Sequence, residues 1–165
     1  MRKGFTMIEL IFVIVILGVL ASVAIPRLAA TRDDAEVAKA ATNLTTAVSD
    51  LTAYYTAKGS FKGSNNANIS DFTKFTNALT KDGKLNVKGK TTCVEVKLPT
   101  PQTNNTQASD KVELDLKFTL DDPVCKQLAK LPGVKAMCGK GDSDNISAGS
   151  GKCKIQIGGS GGIQF

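Results

Sequence analysis

The chain has 165 residues, no His, no Trp, and 21 Lys and Arg against 15 Asp and Glu, for a net charge of +6. Without histidine it lacks the commonest general base and metal ligand, which argues against an enzyme. The positive excess is too small to demand a nucleic acid partner: without Arg2 and Lys3 it falls to +4, and no run of five like charges occurs.

In chain order, the first element is Phe5 to Ile25, twenty-one residues of which only Glu9 is charged. A helix rises about 1.5 Å per residue, so this run is roughly 32 Å long and matches a bilayer core. It is longer than the apolar centre of a signal peptide, and no A-x-A pattern closes it, which predicts retention in the membrane. Arg2 and Lys3 precede it and Leu10 to Ile25 carries no charge, so the N-terminus is expected to stay cytoplasmic. Glu9 needs a reason, because a carboxylate at the membrane face is costly without a partner. It can reach the headgroups from its place near the interface. It can also pair with a positive group on a neighbouring subunit, and a cut before Phe5 would create such a group one helical turn away. Between staggered subunits that pair would fix register, as a buried polar residue does in a coiled coil.

Gly4-Phe5-Thr6-Met7-Ile8-Glu9-Leu10, with the apolar run behind it, resembles the leader of type IV pilins and type II secretion pseudopilins. The resemblance is close over about the first 30 residues and loose as far as Tyr54-Tyr55. It implies that residues 1–4 are a leader removed by prepilin peptidase between Gly4 and Phe5. It further implies that the new amine of Phe5 is N-methylated and that Glu9 neutralises the Phe5 amine of an adjacent subunit. Gly18 and Pro26 match positions where the family helix loosens on assembly. On physical grounds alone Pro26 can simply kink the helix, and Gly18 can be a close-packing site.

From Arg27 to Lys58 a helical pattern continues, with Val37, Ala41, Leu44, Val48, Leu51 and Tyr55 spaced four and three apart on one face. Gly59 follows as a C-cap signal. Residues 5–26 are thus read as a transmembrane and polymerisation helix, 27–58 as its amphipathic continuation, and 59–165 as a globular head. Arg32, Asp33, Asp34, Glu36 and Lys39 cluster beyond the apolar run, and Arg32 and Glu36 have the spacing to pair.

In the head, Gly59 to Ile69 reads as a loop tacked down by Phe61. Ser70-Asp71-Phe72 opens a short helix with Phe72, Phe75 and Leu79 on one side. Thr91–Lys97 reads as a strand with Val94 and Val96 on one face, ended by Pro99 and Pro101, and Gln102 to Asp110 as a polar loop. Lys111 to Leu120 alternates apolar and polar residues without a break, the mark of an antiparallel sheet with one wet face. Asp122-Pro123 starts a helical piece with Cys125, Leu128 and Leu131 on a common side, stopped at Pro132-Gly133. Lys152 to Ile157 is a last strand, with Cys153, Ile155 and Ile157 facing one way. A long helix packed on a small antiparallel sheet is an α+β layout, and the family resemblance implies the same.

Cys93, Cys125, Cys138 and Cys153 form no CxxC pair, and beyond a membrane anchor an even number of cysteines points to disulfides in an oxidising compartment. Three connectivities are open. Closing a short loop and tying two strands favours Cys125–Cys138 with Cys93–Cys153. No cofactor is indicated. Asp142, Asp144 and Asn145 are weak calcium candidates that lack the glutamate and spacing of an EF-hand. Lys81, Lys84, Lys88 and Lys90 lie close enough in sequence to meet DNA phosphates, but with no aromatic interleaved they read first as a solvated face.

Together these features point to a structural, non-catalytic subunit of a type IV pilus or secretion pseudopilus, anchored in the inner membrane with its head in the periplasm or outside. The implied partners are other copies of the chain, related minor pilins, prepilin peptidase, an inner-membrane assembly platform and membrane lipid. A pseudopilin for DNA uptake and a membrane-anchored ligand-binding module are the alternatives.

Overall fold

The computed structural model describes residues 4–63, 67–99, 111–138, 146 and 151–158, and for residues 26–30 the backbone alone. Arg2, Lys3, the polar loop expected from Gln102 to Asp110 and the calcium candidates Asp142, Asp144 and Asn145 lie outside the described residues. The chain divides into two compact units, Met1–Ala35 and Glu36–Phe165. One helix, α1 (Met7–Lys58), has residues in both. The strands are β1 (Lys84–Val87), β2 (Thr91–Lys97), β3 (Val112–Phe118) and β4 (Lys152–Gly158). The short helices α2 (Pro123–Lys130) and α3 (Pro132–Met137) come between β3 and β4. The four strands form one antiparallel sheet in the order β1-β2-β3-β4, which confirms the α+β layout.

In the second unit α1 buries Val37, Ala40, Leu44, Ala47 and Leu51, which recur three and four residues apart. The expected stripe is rotated slightly, so that Ala41, Val48 and Tyr55 are its flanks and the two small alanines lie at its centre. The sheet supplies Leu85, Val87, Val94, Val96, Leu114, Leu116, Phe118, Ile155 and Ile157 to the same core. Gly158 at the end of β4 is a close approach: a Cβ there would strike the ring of Tyr55. Gly151, which leads into β4, has φ +58, and a Cβ would run into the carbonyl oxygen of Phe118. Phe61 is buried as expected and joins Tyr54, Tyr55, Phe72 and Phe75 in an aromatic cluster, with the Tyr54 and Phe75 rings 4.6 Å apart.

Several expectations are corrected. The helix expected from Ser70 is only a 3-10 turn, Phe72–Lys74, capped by the Asp71 side chain, although Phe72 and Leu79 are buried. β1 was not expected, because Lys84–Val87 is four residues long and sits between turn glycines. Pro132 ends α2 as expected, but it also opens α3, since proline fits the first turn of a helix where no N–H bond is lost. The Glu36 carboxylate accepts the backbone N–H of Lys88 at 3.3 Å.

The disulfides are Cys93–Cys125 and Cys138–Cys153, with Cα separations of 5.0 and 5.4 Å, in place of the expected pairing. Strand order supplies the reason. β3 lies between β2 and β4, so Cys93 and Cys153 are two strand spacings apart, about 9–10 Å, beyond the reach of a disulfide. A bulge also intervenes: Leu85 pairs with Val94 and Asn86 with Thr92, leaving Cys93 as the extra residue. Cys93 is thereby buried together with its neighbour Val94 and meets Cys125 of α2. Asp122 caps α2 through the Val124 N–H at 2.8 Å and faces Lys88 Nζ at 3.7 Å, which joins α2 to the β1–β2 connection.

Candidate assembly site at the start of the helix

The apolar run builds the site's scaffold. Consecutive Leu, Ile, Val and Phe residues put apolar side chains on every face of α1, and in hydrocarbon a helix alone satisfies the backbone within one segment. Met7–Ile25 is long and apolar enough to cross a membrane, and none of it is buried within the chain. Its large side chains stand bare, from Ile16 at 42% exposure to Met7 at 82%. A surface of this kind requires lipid or other helices against it.

At the head of this run Thr6 and Glu9 close a reciprocal cap. The Thr6 N–H and the Thr6 hydroxyl both donate to Glu9 Oε2, at 2.8 and 2.7 Å. The Glu9 N–H donates back to Thr6 Oγ1 at 3.4 Å. This is a capping box, in which the residue before the helix and the third helical residue satisfy each other's orphan N–H groups. Its signal is present in the sequence as Thr-x-x-Glu ahead of an apolar run. Two consequences follow from the geometry. The cap uses only atoms C-terminal to the Gly4–Phe5 bond, so cleavage there leaves it intact. Both Thr6 bonds also end on Oε2, so Oε1 accepts no hydrogen bond among the described residues. The carboxylate can cap its own helix and still receive one further donor. Phe5, just before the cap, is 85% exposed, and Gly4 is exposed beside it.

Residues 1–25 match a family model described as the prokaryotic N-terminal methylation motif. The chain carries the prepilin-type motif of type IV pilins and pseudopilins. Gly4, Phe5, Glu9 and Gly18 all fall inside the matched residues, and Pro26 falls just beyond them. No curated protein and no solved structure matches the chain.

Within the prepilin-type segment the remaining candidates are placed as follows. A Cβ added at Gly18 would meet nothing within 4 Å, so nothing among the described residues calls for glycine there. Ser22 returns its hydroxyl to the Val19 carbonyl at 2.7 Å, which keeps that polar group satisfied inside the apolar run. Pro26 lies inside α1, and its side chain is outside the described residues. Of the lysines considered for phosphate contact, Lys84 starts β1, while Lys88 is paired with Asp122.

Proposed function

We propose that this chain is a structural subunit of a type IV pilus-like filament or a type II secretion pseudopilus, assembled through its N-terminal helix. The observation that carries the reading is the prepilin-type motif on a fully bare apolar helix. In this reading prepilin peptidase cuts between Gly4 and Phe5, and the new Phe5 amine is N-methylated. Residues 5–26 are the membrane and polymerisation helix, 27–58 its continuation, and 59–165 the head. Before assembly the subunit sits in the inner membrane with its N-terminus cytoplasmic and its head in the periplasm, and an inner-membrane platform lifts it into the filament beside further copies and minor pilins.

The chemistry rests on Glu9. Its Oε1 receives the Phe5 ammonium of an adjacent subunit while Oε2 keeps the cap with Thr6, so docking exchanges water for a charge-assisted bond without uncapping the helix. Gly18 gives a neighbouring helix a place for close backbone approach, and Pro26 weakens the helix where the apolar run ends.

The test is crosslinking in cells, with the processed N-terminus read by mass spectrometry. Wild type is expected to begin at methylated Phe5 and give a ladder of multimers. Glu9→Gln keeps the capping box but removes the charge, and is expected to abolish the ladder. Thr6→Ala removes the cap but keeps the charge, and is expected to retain it. An uncut N-terminus, or a full ladder from Glu9→Gln, would falsify the reading.

A further inference from the structure

The solvent face of the sheet carries a charge arrangement that folding alone disfavours. Register sets Lys117 of β3 directly opposite Lys152 of β4, and in the next row Lys97 of β2 and Lys154 of β4 flank Asp115. All five are exposed and line one groove of about 310 Å³. Like charges directly opposite each other destabilise an antiparallel pair. Lys154 is engaged by Glu113 at 3.4 Å, whereas Lys97, Lys117 and Lys152 make no ion pair among the described residues. Glu95 stands on the far side of Lys117, so a single row reads Lys84, Glu95, Lys117, Lys152. The groove has four lysines to one aspartate, and its like-charge pair calls for an anion between its members.

We propose that this groove binds the phosphodiester backbone of duplex nucleic acid, with Lys117 and Lys152 sharing one phosphate and Lys97 meeting a neighbouring one. The chemistry of the face selects this occupant. Its outward side chains are Lys, Asp, Glu, Gln, Asn and Thr, with no aromatic ring for stacking on single-stranded bases and no large apolar group for entering a bilayer. It has no arginine either: the chain's three arginines, Arg2, Arg27 and Arg32, all precede the head, so the forked geometry suited to a partner's carboxylates is absent here. Lysines offer point charges, which suit a phosphate backbone read without regard to sequence. Alternate lysines on β4 stand about 6.6–6.8 Å apart and adjacent strands about 4.8 Å, so the patch covers two or three phosphates. Lys84 shares a row with this contact but is separated from it by Glu95, and the proposal does not rest on the filament reading, which the crosslinking experiment tests separately.

The experiment is fluorescence anisotropy of a labelled 30-base-pair DNA duplex with the full-length chain in detergent micelles, from 50 to 200 mM salt. Lys152→Glu turns the repulsive pair into an attractive one. It is expected to weaken binding by about tenfold or more while leaving the unfolding midpoint equal or higher. Lys117→Gln with Lys152→Gln is expected to lower the salt slope by about 0.9, the loss of the one phosphate contact they share. Lys62→Glu makes the same change in net charge at an exposed site elsewhere and is expected to bind as wild type. If Lys152→Glu fails to form the Cys138–Cys153 disulfide, the double glutamine variant decides. Equal binding by wild type and the groove variants overturns the proposal. So does an equal loss in Lys62→Glu, or a wild-type preference for phosphatidylglycerol vesicles or for a second copy of the chain over the duplex.

Discussion

Between Met7 and Ile25, α1 shows large apolar side chains on every side, none less than 42% exposed. Between Val37 and Leu51 its buried residues recur at three and four, and none is more than 7% exposed. The backbone conformation is the same, yet the stabilising partner differs. The second stretch is held by its own chain's sheet, whereas the first finds no partner among the described residues. A helix therefore does not say by itself what stabilises it. The periodicity of its apolar residues does, because a stripe needs one packed neighbour and an all-round apolar surface needs a medium.

The largest expected effect comes from breaking the packed stretch. Leu51→Ala, at a site with no exposure, is expected to cost about 2–5 kcal/mol in the unfolding of the head, seen by near-ultraviolet circular dichroism of the full chain in detergent. Leu17→Ala, in the bare stretch, is expected to leave that transition unchanged; an equal loss there would erase the distinction. Next, Cys138→Ser with Cys153→Ser opens a crosslink spanning 15 residues and is expected to destabilise the head by about 3 kcal/mol, with membrane retention unaffected. Peptide mapping without reduction checks the pairing itself and should recover Cys93 joined to Cys125.

Gly151→Ala is expected to cost about 1–3 kcal/mol in the same melt, because its φ of +58 and the Phe118 carbonyl leave no place for a Cβ. Gly18→Ala sharpens the contrast with a change of opposite sign. It should strengthen the isolated helix by about 1 kcal/mol, since glycine is a poor helix former and the site is open, while reducing the crosslinked ladder. The smallest effect is at Asp71, whose carboxyl is held below its usual range chiefly by the Thr73 hydroxyl. A lowered carboxyl pKa stabilises the fold above about pH 4 and loses that contribution on acidification through the lowered value. The melting difference between wild type and Asp71→Ala should accordingly shrink from pH 7 to pH 3.

Much of this molecule was legible from its sequence because the signals are local. The prepilin-type motif sits in a few adjacent residues, β3 alternates without interruption, and β2 and β4 were placed to within a residue. The capping box is equally local, written in Thr6 and Glu9 alone. Tertiary structure alone decided what depends on neighbours distant in sequence. Disulfide connectivity followed from β3 lying between β2 and β4 and from the bulge at Cys93, neither of which leaves a mark on residue spacing. β1 needed β2 beside it, since four residues between glycines gain their hydrogen bonds only from a partner strand. The facing lysines 117 and 152 are 35 positions apart in sequence, and only the pairing register brings their charges together.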